Sequence, residues 1–437
     1  MAETGPKLYE KARLRIPGGT QLLSKRPEML LPDHWPAYYS RAQGAEVWDL
    51  DGRKYTDMSY SGIGSCVLGY ADADVNEAVV AAVHAGSMST LNCPEEVELA
   101  DLLCELHPWA EMVRYARGGG EAMTIAVRIA RTHTLREKIA FCGYHGWHDW
   151  YLAANLSAQG ALDAHLLPGL EPAGVPRGLA GTAIPFHYNR LDELQNIVSK
   201  FRSELAAIVM EPIRSQEPDP DFLESVRGLA EESGAVLIFD EITAGFRLNT
   251  GGAHLRYGVT PDIAVFAKAI SNGYPMAAII GKGAVMRAAQ ESFISSTYWT
   301  ERIGPAAALA TIRKHKRCDV PKWLDHAGRR VQEGWSAAAC RAELPIAVSG
   351  ISPLGHFEFK VKNGQAVRTL FTQMMLDRGF LASNTFYAMY AHEDRQIDAY
   401  LRSVAEVFEA LAMAIEKNEV NKLLHGPVAH TGFYRLT

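Results

Sequence analysis

Between residues 110 and 285 the chain alternates two hydrophobic periods. In EAMTIAVRIART (121–132), LDELQNIVSKFRSEL (191–205) and DFLESVRGLAEESG (221–234), apolar residues recur every three to four positions. That is the period of a helix with one buried face. Between them lie short unbroken apolar runs, KIAFCG (138–143), AAIVMEP (206–212) and AVLIFDE (235–241). Runs of this length bounded by turn residues read as strands buried on both faces. The alternation predicts an α/β fold, a mostly parallel sheet with helices on both sides. Residues 44–59 alternate apolar and polar around Asp51-Gly52, a hairpin signal. Helical patterns follow at 74–85 and 95–107. Beyond about 315 the texture changes to a strand-bearing stretch (346–361), a helix over 366–378 and a long amphipathic helix over 394–417. No repeat or low-complexity linker interrupts the chain. The expected layout is a large domain over 60–315 and a smaller α+β domain built from 1–59 and 316–437.

Composition narrows the class. At 437 residues the chain exceeds one average domain, and 48% hydrophobic with 22% charged residues is the balance of a globular enzyme. Its 44 basic and 50 acidic residues leave a net charge of −6, so nothing draws it to nucleic acid or to an anionic membrane. The one dense basic run, Arg313-Lys314-His315-Lys316-Arg317, ends a helical pattern and reads as a solvated face. Six cysteines without a CxxC spacing fit thiols in a reducing compartment. There is no leader-like apolar run and no stretch long enough to span a bilayer. The expectation is a cytoplasmic protein.

Candidate chemistry collects at strand ends. In α/β sheets ligands sit beyond the carboxyl ends of strands, where Glu211, Asp240 and Lys268 fall. A lysine and an aspartate in such places suit pyridoxal phosphate. The amine can form a Schiff base with its aldehyde, and the carboxylate can hold the pyridine nitrogen protonated. Spacing alone does not separate this from two unrelated charges capping a core. Gly118-Gly119-Gly120, just before a helix, would leave backbone N–H groups bare for a phosphate, although a glycine triplet also serves as a plain tight turn. It matches neither GxGxxG nor GxxxxGK[ST], which argues against nucleotide binding. Tyr144-His145-Gly146-Trp147-His148 follows a strand, and its aromatics either stack on a flat ring or pack in the core. His145 and His148 lack a third ligand at a familiar spacing, so no metal site is expected. Glu211 can hold a basic or polar group, Ile242 can lie against a ring face, and the hydroxyl-rich stretch 295–301 can complete a phosphate cradle.

Taken in chain order, these motifs resemble the class III aminotransferases, pyridoxal-phosphate enzymes of fold type I. The match runs from IPGGT near residue 16 to the last helix and is most specific in FDEITAGFR and PDIAVFAKAISNGYPMAAIIGK. In texture it is similar to the branch holding glutamate-1-semialdehyde aminomutase and amino-sugar aminotransferases. The resemblance implies Lys268 as Schiff-base lysine and proton shuttle, with Asp240 on the pyridine N–H. It implies Tyr144 and Ile242 on the two ring faces, His145 and Glu211 beside the cofactor, and Gly119 and Gly120 at its phosphate. Thr297 matches a threonine that reaches the phosphate of a neighbouring subunit, which implies a homodimer with shared sites.

The chain also departs from the family pattern. The phosphate turn has glycine where hydroxyls are usual, and TERIGP replaces Gly-Asn-Pro. The stretch SNTFYAMYAHEDRQIDAYL lacks an arginine where many members hold a substrate carboxylate; Arg395 comes later, in a helix. Arg26 is the substitute candidate, forking a donor carboxylate, with Trp147 and Tyr298 as further substrate residues. The expected reaction moves an amino group from a small-molecule donor such as L-glutamate to a carbonyl acceptor, an oxidised sugar or aminocyclitol. The alternative is an intramolecular aminomutase.

Overall fold

The computed structural model describes residues 4–165 and 168–433. They form two compact units, one of Ala73–Pro321 and the other of Met1–Asp72 with Lys322–Thr437.

The first unit is organised by a seven-stranded sheet. Its strands are β1 (Met112–Ala116), β2 (Lys138–Cys142), β3 (Ala183–Pro185), β4 (Leu205–Met210), β5 (Val236–Asp240), β6 (Ile263–Phe266) and β7 (Ala277–Gly281). They lie side by side as β1-β7-β6-β5-β4-β2-β3. From β6 through β3 every neighbour is parallel, and β7 runs against both β6 and β1. All strands except β7 therefore point the same way, and their carboxyl ends share one edge.

Strict side-chain alternation explains why the central strands are apolar throughout. Val209 and Ile238 join the cluster on one face with Met123, Val127 and Ile129 of helix α1 (Gly119–Thr134). Their neighbours Ile208 and Leu237 join the opposite cluster with Ile197, Leu223 and Val226. Helix boundaries follow local signals. The helix Phe222–Ser233 stops at Gly234, whose φ of +66° suits a residue without Cβ. The expected helix over 191–205 ends earlier, at Phe201, because a turn precedes β4.

The basic run on helix α2 (Ile303–Arg317) is solvated only in part. Arg313 pairs with Glu98, Lys316 with Glu105, and Lys314 and Arg317 with Asp74. His315, on the inner face of the same turn, is fully buried between the Phe246 carbonyl (3.0 Å) and the Thr250 hydroxyl (2.8 Å). Burial pushes its pKa down to about 4. Helical periodicity overrides the charge pattern at that position.

In the second unit the hairpin forms between Glu46–Asp49 and Lys54–Asp57. The turn between them includes Gly52, with φ of +80°. A polar strand that the alternation hid, Tyr39–Gln43, adds to one side, and Phe380–Leu381 pairs in parallel on the other. A second sheet joins Ile346–Ser349, Leu354–Phe359 and Thr385–Tyr387. The helices Gly364–Asp377 and Asp394–Glu416 supply Phe371 and Phe408, whose rings lie 5.4 and 5.7 Å from Phe357. Among the described residues no helix is long and apolar enough to cross a membrane.

Asp262, at the start of β6, ties three strands together. It accepts from Lys282 Nζ (2.8 Å), from Arg227 Nη1 (2.8 Å) and from the Leu237 N–H (2.9 Å). Burial opposes its charge, but these donors outweigh burial and hold the carboxyl below its ordinary 3.8. A lowered folded-state pKa adds stability that is complete above the unfolded value and lost as pH falls through the folded one. Asp262→Asn is therefore predicted to cost about 1–3 kcal/mol in urea unfolding at pH 7. The gap to the wild-type protein should close below pH 4. A gap independent of pH would mean that the carboxylate charge is not the cause.

Candidate active site

The shared carboxyl edge gathers the predicted residues. Asp240 ends β5, Tyr144 and His145 follow β2, Glu211 follows β4, Lys268 follows β6, and the glycine turn follows β1. Each sits where a buried strand gives way to loop, so the backbone is rigid up to the residue before it.

Asp240 is buried and fixed at both oxygens. Oδ2 lies 2.8 Å from His145 Nδ1, and Oδ1 accepts from the Ile242 N–H at 3.0 Å. His145 is also buried, and its Nε2 faces the Cys142 carbonyl at 3.1 Å. The imidazole bridges the Asp240 carboxylate and a backbone carbonyl. Both nitrogens of His145 are thus committed, which leaves neither for a metal.

Lys268 begins a short 3-10 turn with φ of +51°, a left-handed conformation that few non-glycine residues adopt. Its Nζ donates to Thr243 Oγ1 at 2.8 Å. Burial first, and then the Arg214 guanidinium, lower its pKa from 10.5 to about 8; Glu211 and Asp240 oppose them, and Arg247 adds to the lowering. A lysine set this way is substantially neutral in mildly basic solution and can act as nucleophile or base.

The glycine turn presents bare donors. Gly118 caps α1 in an extended conformation, and the Glu121 carboxylate folds back to accept from the N–H groups of Arg117 (3.0 Å) and Gly118 (3.3 Å). The next three N–H groups, of Gly119, Gly120 and Glu121, open the helix with no carbonyl four residues back to receive them. A side chain would be crowded here. A Cβ on Gly119 would come within 2.9 Å of Ile242 Cδ1, and one on Gly120 within 3.2 Å of His148 Cδ2. These close approaches bring the turn against Ile242 and against the loop after β2.

Tyr144 is half-buried, and its N–H lies 3.4 Å from Glu211 Oε2. Trp147 is exposed, its ring 4.3 Å from that of His148. Thr297 and Tyr298 lie in the exposed turn Thr297–Thr300. Arg26 is the one predicted residue outside this unit; in the other unit its guanidinium lies 6.0 Å from the Phe433 ring.

Sequence reading missed two groups beside these residues. Thr243 bonds the lysine, and its place three residues after Asp240 was the available signal. Arg214 Nη1 lies 3.1 and 3.3 Å from the two oxygens of Glu211. Its place three residues after Glu211 gave no hint of a ligand role, because arginines in loops are common.

Comparison with known proteins gives the family. The family model for "Aminotransferase class-III" matches residues 32–408. The chain is 32% identical over 421 residues to the 3-aminobutyryl-CoA aminotransferase of Cloacimonas acidaminovorans, covering 92% of this chain and 97% of that protein. It is 32% identical to the glutamate-1-semialdehyde 2,1-aminomutase of Syntrophobacter fumaroxidans, covering 92% and 96%. Among solved structures, an omega-transaminase from Sphaerobacter thermophilus superposes with a TM-score of 0.83 at 25% identity, covering 94% of this chain and 98% of that one. The fold also matches the FumI protein of Sphingopyxis sp. MTA144, with a TM-score of 0.86 at 23% identity over 95% and 98%. Strand-end lysine and aspartate, bare helix terminus and family match converge: the chain belongs to the class III aminotransferases, which use pyridoxal phosphate.

Proposed function

We propose that the protein transfers an amino group from an amino-acid donor, L-glutamate in the first instance, to a carbonyl acceptor. The observation that carries this reading is the Lys268 amine, held by Thr243, at the same sheet edge as the fixed Asp240 carboxylate. The residues present suit the cofactor. The N–H groups of Gly119, Gly120 and Glu121 would take its phosphate, helped by Thr297. Tyr144 and Ile242 would flank the ring, and Asp240, backed by His145, would face the ring nitrogen. When bound, pyridoxal phosphate supplies an aldehyde that accepts amino groups and a protonated ring that draws electrons from the adjacent carbon.

The chain supplies the rest. Lys268 Nζ takes the proton from the amine-bearing carbon and returns it elsewhere, and Thr243 holds Nζ between these transfers. Arg214 offers a cation for the donor carboxylate once Glu211 releases it. The exposed rings of Trp147 and Tyr298 suit the faces of an oxidised sugar or aminocyclitol. A homodimer fits the exposed Thr297 and the exposed Val80, Val83 and Leu91 of the same unit, which a second copy would cover. The relative from Syntrophobacter fumaroxidans keeps an aminomutase as the second reading.

Two kinds of experiment check the proposal. The apoprotein's rate of capturing pyridoxal phosphate should rise about tenfold per pH unit below about 8 and level off above it. A rate still rising at pH 10 would describe an ordinary lysine. Lys268→Ala should lower turnover by about 10³-fold or more. In the second experiment the holoprotein is mixed with L-glutamate and a panel of aldehydes and ketones. Bleaching of the visible cofactor band by glutamate, then recovery with one acceptor, supports transfer. Turnover of a single amino-aldehyde without any donor would favour the mutase.

A further inference from the structure

Two departures from the family pattern meet in space. Arg117 immediately precedes the glycine turn, and Glu301 belongs to the TERIGP segment after the threonine loop. They form an ion pair of 2.8 Å between Arg117 Nε and Glu301 Oε1, with both side chains largely shielded from solvent. The guanidinium does more than pair. Its Nη2 donates to the carbonyls of Trp299 (3.1 Å) and Glu301 (2.9 Å), and its Nη1 donates to the Ala116 carbonyl at the end of β1 (3.0 Å). Glu301 in turn caps α2, accepting from the N–H groups of Ile303 (2.6 Å) and Gly304 (2.8 Å). One arginine thus bolts the last turn of the Thr297 segment to the strand end from which the glycine turn springs.

We propose that Arg117 and Glu301 are a positioning pair for the phosphate end of the cofactor, and this rests on the reading given above. A turn of three glycines is the most flexible way to present backbone donors, and it loses the most freedom when a ligand freezes it. It also has no hydroxyl of its own to offer an anion. The pair removes that freedom in advance. Arg117 is held by its side chain to residues 299–301 and by its N–H to Glu121, so Gly118 to Gly120 start from a fixed point. Pre-setting donors before a ligand arrives raises affinity without any new contact to it. Neither residue needs to touch the phosphate. If each chain lends Thr297 to its neighbour, the same pair links the glycine turn of one site to the threonine serving the other.

The test compares pyridoxal phosphate with pyridoxal, which lacks the phosphate, by spectroscopic titration of apoprotein from wild type, Arg117→Gln, Glu301→Gln and the double variant. The expected result is phosphate-specific. Each single variant should bind pyridoxal phosphate about ten- to a hundredfold more weakly, and pyridoxal within about twofold of wild type. The double variant should be no weaker than the worse single one, because the two residues act as a unit. Arg117→Lys keeps the charge but, with all its donors on one nitrogen, cannot reach the Glu301 carboxylate and all three carbonyls together, so it should fall between wild type and Arg117→Gln and keeps the test open if the glutamine variant fails to fold. Equal losses for both ligands, or no loss for either, would overturn the positioning role. A wild-type protein that binds neither ligand would overturn the functional reading with it, whereas wild-type binding with unaffected variants would overturn the pair alone.

Discussion

A lysine amine that must lose its proton near neutral pH has to be placed where positive charge is unwelcome. Burial at the sheet edge and the Arg214 and Arg247 guanidiniums do this for Lys268. The same edge holds a carboxylate that must keep its charge, and Asp240 is held there by the His145 ring and the Ile242 N–H. Both requirements are met by one geometric fact: β1 to β6 run in one direction, so the residue after each strand faces a common crevice. The rigid apolar strands behind that edge fix its side chains, and Asp262 binds the three strands nearest Lys268 into one piece.

The period of the apolar residues made much of this legible. Runs such as AVLIFDE, bounded by turn residues and alternating with helical periods, read as strands buried on both sides, and a charge at the end of such a run falls at the sheet edge. Asp240, Glu211 and Lys268 were therefore visible without coordinates. What stayed hidden depends on which loops meet. Arg214, proposed above for the donor carboxylate, is one such group: nothing in the linear order shows that it lies close enough to Lys268 to shift its pKa. His315 was misread for a related reason. A run of five basic residues looks solvated until helical phase turns one of them inward. The strand Tyr39–Gln43 was missed because its polar side chains carry no alternation.

The phosphate end departs most from the family and also shows how the departure is made good. Gly118 and Gly120 stand where the family pattern has hydroxyl-bearing side chains, with Arg117 just before that turn and Glu301 in the segment that replaces Gly-Asn-Pro. A Cβ at Gly119 would crowd the end of the Ile242 side chain, and one at Gly120 would crowd the His148 ring. Rigidity then has to come from elsewhere, and the Arg117 guanidinium supplies it from 117 to 301. On the proposal made above, affinity for the cofactor in this chain rests on backbone pre-setting.

On the proposed function, Lys268 and no other lysine carries the cofactor. Reduction of the holoprotein with borohydride, digestion and mass spectrometry test it most directly. The account predicts the cofactor's mass on the peptide containing Lys268, with no label in Lys268→Ala. Label on a different lysine of the wild-type protein, or an unchanged label in Lys268→Ala, would contradict it.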